Sequence, residues 1–122
     1  MENDSITERI IGICFEVHNE LGNGYVEKVY ENALRVALEE EGFQVKQQVS
    51  MAVWFRGVAV GEFFADLLVD NSIVIELKAV KRLQPEHQAQ LINYLKTSGM
   101  TRGLLLNFGT TRLEVKRGTH TR

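Results

Sequence analysis

Glu62-Phe63-Phe64-Ala65-Asp66-Leu67-Leu68-Val69-Asp70-Asn71-Ser72-Ile73-Val74-Ile75-Glu76-Leu77-Lys78 decides how this chain is read. Apolar β-formers flank Asp70-Asn71-Ser72, a trio suited to a tight turn, so the stretch predicts a β-hairpin. Taking Phe63, Ala65, Leu67 and Val69 as one apolar face, their partners are Ile73, Ile75 and Leu77. The pairs are then 69 with 73, 67 with 75 and 65 with 77, around a three-residue loop at 70–72. The same register sets Asp66 opposite Glu76 and Phe64 opposite Lys78 on the other face. A slip of one residue would pair Asp66 with Ile75 and mix the faces. Charged side chains in strands of this kind are costly to desolvate, and two acids directly opposite each other repel. A divalent cation between them would reverse that sign.

The rest of the composition bounds the answer. A chain of 122 residues, 44% apolar and 25% charged, predicts one soluble domain over 1–122. No apolar run approaches a membrane span, and the acidic start is unlike a secretory signal. Cys14 has no partner for a disulfide and falls within an apolar helical pattern, which predicts a buried thiol and a cytoplasmic location. The net charge of −2 speaks against a generally polybasic nucleic-acid binder. The charge is nonetheless uneven: residues 1–61 carry 5 Lys/Arg against 10 Asp/Glu, and residues 62–122 carry 9 against 6. A basic flank beside the hairpin and scattered solvated charges both account for this.

Outward from the hairpin, Ser5-Ile6-Thr7-Glu8 has the spacing of a capping box, with Ser5 as N-cap. Ile6, Ile10, Ile13, Val17 and Leu21 then repeat at helical spacing, and Gly22-Asn23-Gly24 ends that helix. His18 lies beside the stripe, where a packed, hydrogen-bonded role and a site role both stand. A second helix is predicted over 25–41. Glu27, Tyr30, Leu34, Ala37 and Leu38 share a stripe of it, so Glu27 is an acid in line with apolar residues. Residues 43–49 and 51–55 read as two strand-like stretches or one long bent strand, Arg56-Gly57 as a turn, and 58–69 and 72–80 as the hairpin arms. Pro85 opens a helix running to Ser98, with Ala89, Ile92 and Leu95 as its apolar stripe and His87, Gln90 and Tyr94 beside it. A buried strand over 103–108, an edge strand over 113–116 and frayed last residues complete the order. An α-α-β-β-β-α-β-β chain predicts an α/β mixed sheet flanked by helices.

That order, with Asp66 on the second strand and Glu76-Leu77-Lys78 on the third, resembles the PD-(D/E)XK nuclease superfamily, whose fold is restriction-endonuclease-like with an αβββαβ core. Gly24-Tyr25-Val26-Glu27-Lys28-Val29-Tyr30 is similar to the GxxExxY motif of a small prokaryotic group within it. Glu16-Val17-His18-Asn19-Glu20-Leu21-Gly22 and Gly103-Leu104-Leu105-Leu106-Asn107-Phe108-Gly109 fit the same group. Gln90-x3-Tyr94 resembles the RecB-like branch. Ala65 departs from the pattern, standing where the superfamily has proline, a residue that supplies no ligand.

The resemblance implies a nuclease dependent on Mg²⁺ or Mn²⁺ and acting on nucleic acid, DNA ahead of RNA. Asp66, Glu76, the Leu77 carbonyl and Glu27 would hold the metal. Lys78 would hold the attacking water or stabilise transition-state charge. Gln90 and Tyr94 would orient a water, the lysine or the phosphate, with His18 and then His87 as outer groups. The competing readings are a structural Asp66–Lys78–Glu76 ion cluster, a catalytically silent module binding nucleic acid or protein, and a subunit of a homodimer or larger assembly. No helix-turn-helix, zinc finger or basic arm is present in the sequence, so no sequence specificity is expected of this chain.

Overall fold

The computed structural model describes residues 2–121, with side chains described from Ser5 onward. Its elements are α1 (Glu2–Leu21), α2 (Glu27–Glu40), β1 (Val45–Phe55), β2 (Val58–Val69), β3 (Ile73–Lys78), α3 (Pro85–Ser98), β4 (Arg102–Asn107) and β5 (Glu114–Thr119). The five strands form one mixed sheet in the order β1-β2-β3-β4-β5. Only β3 and β4 run parallel, joined by the α3 crossover; the other pairs are antiparallel. The expected element order and the α/β mixed sheet are both present. Among the described residues no helix is long and apolar enough to cross a membrane.

The helices cover the sheet unequally. Ile10, Ile13, Cys14 and Val17 of α1 and Tyr30, Leu34 and Leu38 of α2 close over Leu67, Val69, Ile73, Ile75, Leu77, Leu104 and Leu106. On the other face Leu91 and Leu95 of α3 pack on Ala65, Leu68, Val74 and Leu105. The buried stripe of α3 is therefore Leu91 and Leu95; Ala89, expected to face the core, is exposed. Leu91 lies so close to the sheet that a Cβ on Gly118 would come within 2.7 Å of it, and one on Gly103, the partner of Gly118, within 2.8 Å.

The central hairpin has the expected register, Leu67 with Ile75 and Val69 with Ile73, and a loop at 70–72. Its face assignment needs correction. Leu67 and Val69 pack under α1 and α2, whereas Ala65 packs with Leu91 and Leu95, and Phe63 stacks on Tyr94 of α3 at 3.8 Å between centroids. Strand β2 thus changes the face of its odd residues at Asp66. Strand β1 does the same at Gln48, which has φ 52: Val45 joins the first core, Val49 and Met51 the second. A left-handed non-glycine residue in a strand breaks the alternation that a purely periodic pattern assumes.

Other boundaries move by smaller amounts. α1 begins at Glu2, so Ser5 lies inside the helix and is not its N-cap. β5 runs to Thr119 and pairs with β4 along its length, and His120 N donates to Thr101 O at 3.0 Å, so the edge strand extends past the expected end at 116. Cys14 is buried, as expected, and burial pushes its thiol up to about 12.

The chain just past Lys78 is held by Asn107, which is fully buried. Its Oδ1 accepts from Val80 N and Gly109 N, each at 3.0 Å, and its Nδ2 donates to Val80 O at 3.0 Å and Glu114 Oε1 at 2.8 Å. Every hydrogen-bonding direction of this amide is used. A Cβ on Gly109 would stand 2.5 Å from both the N and the O of Val80, so only glycine fits there without moving backbone. Gly109→Ala is expected to destabilise the protein by about 2 kcal/mol or more, measured by urea unfolding, because the neighbouring backbone cannot yield cheaply.

Candidate metal centre

The backbone ladder between β2 and β3 ends at Leu67 and Ile75. Beyond it the two strands are joined through side chains. Asp66 Oδ2 accepts from Leu77 N at 2.8 Å, and Glu76 Oε2 accepts from Asp66 N at 3.3 Å. The two acids that the hairpin register places opposite each other are thus side by side, with Glu76 only 8% exposed. Burial first, and the Asp66 carboxylate second, push the Glu76 carboxyl up to about 8. Burial also raises Asp66, against the hydrogen bonds from Leu77 N and Gln48 that favour its anion.

Glu27 comes to this place from the first turn of α2. Tyr30 anchors the turn before it: its hydroxyl donates to Gly22 O at 2.5 Å and accepts from Tyr25 N at 3.3 Å, while its ring stacks on Phe108. Glu27 itself is at the exposed rim, unlike the apolar setting its stripe suggested. What burial it has, then the charge of Asp66, raises its carboxyl, while Lys78 acts in the opposite direction. Lys78 has this lowering effect on all three acids, so its ammonium lies within electrostatic range of each. From the α3 side, the phenol of Tyr94 is raised by burial and then by Glu76 and Asp66. Gln90 is exposed one turn earlier on the same helix.

His18 and His87 both have structural partners. His18 is buried and its Nε2 bonds to Thr110 O at 2.9 Å, tying α1 to the turn after β4. His87 Nδ1 accepts from Gln84 N at 3.0 Å in the capping box of α3.

Three residues that bear on the site were not among those read from the sequence. Glu31 is 4% exposed, and its carboxylate accepts from Gln47 Nε2 at 2.8 Å, Gln48 Nε2 at 3.0 Å and Lys28 Nζ at 3.1 Å. Gln48 Nε2 also donates to Asp66 Oδ1 at 3.2 Å, so one amide links the buried Glu31 to Asp66. The i, i+4 spacing from Glu27 to Glu31 was the available signal. Nothing local marks Gln47 or Gln48, whose roles depend on β1 lying beside both α2 and β2.

The donor set can be tested against a hard cation. Asp66, Glu76 and the Leu77 carbonyl are oxygen donors of the type Mg²⁺ and Mn²⁺ take, and one or two carboxylates suffice for Mg²⁺, which keeps several waters. Among the described residues no group of three or more His, Cys, Asp or Glu side chains is close enough to hold an ion, so the fit is to a two-carboxylate anchor. The raised pKa of Glu76 also gives a sign to stability without metal. The folded carboxyl titrates near 8 against an ordinary 4.5, so its contribution is fully present below pH 4.5 and is lost as pH rises through about 8. Glu76→Gln removes that loss. In EDTA at pH 8.5 the variant is expected to unfold with a free energy higher than wild type by on the order of 2 kcal/mol, the margin shrinking toward pH 5.

The comparisons agree with this geometry. A family model described as the PD-(D/E)XK nuclease superfamily matches residues 4–118. No curated protein matches this chain. A solved structure described as "Crystal structure of SSO0001" is similar in fold, with a TM-score of 0.59 and 20% sequence identity, covering 78% of this chain. This chain spans half the length of that one. With the acids on neighbouring strands, the Glu-x-Lys pair on β3 and a family match along nearly its whole length, the chain belongs to the PD-(D/E)XK nuclease superfamily.

Proposed function

We propose that residues 1–122 act as one nuclease domain that hydrolyses phosphodiester bonds, in DNA ahead of RNA, with Mg²⁺ or Mn²⁺. The observation that carries this reading is the pair Asp66 and Glu76, set side by side by the hydrogen bonds from Leu77 N to Asp66 and from Asp66 N to Glu76, with Glu27 and Lys78 in electrostatic range. Such a cluster is unfavourable by itself and becomes favourable on binding a cation. Asp66, Glu76 and the Leu77 carbonyl would hold the metal, with Glu27 on α2 acting through a metal-bound water. When bound, the cation neutralises charge on the phosphate and lowers the pKa of a water. Gln48 and Leu77 N fix the direction of the Asp66 carboxylate. Lys78 holds the attacking water or the developing negative charge. Tyr94, with Gln90 one turn away, orients the phosphate or a water from the α3 side. Within the superfamily we place the chain in the GxxExxY group, on the words from Gly24 to Tyr30, with the Gln90-x3-Tyr94 arrangement of the RecB-like branch.

The test is incubation of single- and double-stranded DNA and RNA with Mg²⁺ or Mn²⁺, using wild type, Asp66→Ala and Lys78→Ala. Both substitutions are expected to lower cleavage at least about a hundredfold. Asp66→Ala should also abolish the Mn²⁺ binding seen by calorimetry. Cleavage that survives both substitutions would remove the proposed site. Mn²⁺ binding without cleavage of any substrate would favour the silent binding module.

A further inference from the structure

The β1–β2 hairpin is about twice as long as β3 and projects past the rest of the sheet, exposing Phe55, Val58, Val60 and Phe64. Between this projection and α3 lies a groove of about 610 Å³, lined by Val53, Trp54, Phe63, Asn93, Tyr94 and Lys96. Val53 and Trp54 are adjacent in a strand, and regular alternation would turn them to opposite faces. The register of β1 on β2 shifts between these two residues, from Val53 opposite Gly61 to Trp54 opposite Ala59. Such a bulge re-aims a side chain, which allows both residues to line the groove. The indole remains 65% exposed. The Phe63–Tyr94 stack also lines the groove, and Tyr94 is the same phenol that senses Asp66 and Glu76. Tyr94 thus lines the groove and lies within electrostatic range of the acids.

We propose that this groove seats unpaired bases of single-stranded DNA next to the bond being cut, with Trp54 as the stacking surface and Lys96 meeting the backbone phosphate. The proposal deepens the nuclease reading and rests on it. An exposed aromatic face beside a cation is what single-strand binding uses, since every base offers a π-face once it leaves the duplex. A base-paired strand keeps those faces stacked on each other and cannot present one to the indole. The substrate class that follows is a single strand, an overhang or a frayed end.

The chain has one tryptophan, so emission excited beyond the absorption of tyrosine reports on this groove alone. Binding is followed in EDTA, where no metal-dependent cleavage intervenes, with an oligodeoxynucleotide, the same sequence as a blunt duplex, and the matching oligoribonucleotide. The single-stranded DNA is expected to quench Trp54 and to bind more tightly than the duplex. Trp54→Ala is expected to weaken that binding about tenfold, read by anisotropy of a labelled strand, with Trp54→Phe restoring most of it. Mn²⁺ affinity should be the same in all three proteins. Equal quenching by the duplex, unchanged affinity in Trp54→Ala, or a response confined to the RNA would overturn the proposal. A rise in sedimenting mass with protein concentration, lost in Trp54→Ala and without DNA present, would overturn it in favour of a second copy of this chain. Failure here is separable from failure of the nuclease reading. A chain that cuts DNA while Trp54 ignores single strands loses only the groove, and quenching without cutting loses only the turnover.

Discussion

The Asp66 carboxylate accepting from Leu77 N is the contact on which the site depends. That N–H stands where the ladder between β2 and β3 has just ended, and the side chain takes the place of a backbone carbonyl from β2. The bond does two things. It keeps the strands together past Leu67 and Ile75, and it fixes one acid beside Glu76 in a half-buried crevice. Repulsion between the two acids is the cost, visible in the rise of the Glu76 carboxyl to about 8. A protein selected only for stability would replace one of them with a neutral residue. Retaining both is understandable where a cation is to be bound.

Around this contact the fold supplies support from separate directions. α2 brings Glu27 to the rim and buries Glu31 beneath it. β1 contributes Gln48, whose left-handed backbone turns the strand at the level of Asp66 and whose amide joins Glu31 to Asp66. Asn107 and Gly109 lock the chain immediately after Lys78, so the end of β3 is rigid where the lysine must be placed. α3 adds Tyr94, which stacks on Phe63, lines the groove beside Trp54 and lies within electrostatic range of the acids. Catalytic groups held by packed neighbours and buried hydrogen bonds need less reorganisation than groups on free loops.

Much of this was legible because it is local. The turn at 70–72, the pairing of Leu67 with Ile75 and the opposition of Asp66 and Glu76 follow from side-chain alternation over seventeen consecutive residues. Pro85 and Gly99 mark the ends of α3 through their own backbone preferences. The face change at Asp66 was not legible, since alternation assumes that a strand keeps its pleat, and Gln48 and Asp66 carry no composition signal that it does not. Ala89 was misplaced on α3 for a related reason: helical spacing identifies a stripe but not which of two neighbouring stripes meets the sheet, and Leu91 settled that by fitting over Gly103 and Gly118.

The sequence by itself determined the order of elements, the hairpin register, and the pairing of two acids with a lysine two residues farther on, because each depends on neighbours along the chain. Only the tertiary structure decided that Glu31 and Gln48 support Asp66, that His18 ties α1 to the turn after β4, and that Tyr94 lies between the acids and an aromatic groove. Those relations link residues far apart in sequence, 18 positions for Gln48 with Asp66 and 92 for His18 with Thr110. Their side chains meet only after sheet and helices have closed, when burial makes each unpaired polar group costly enough to select one arrangement.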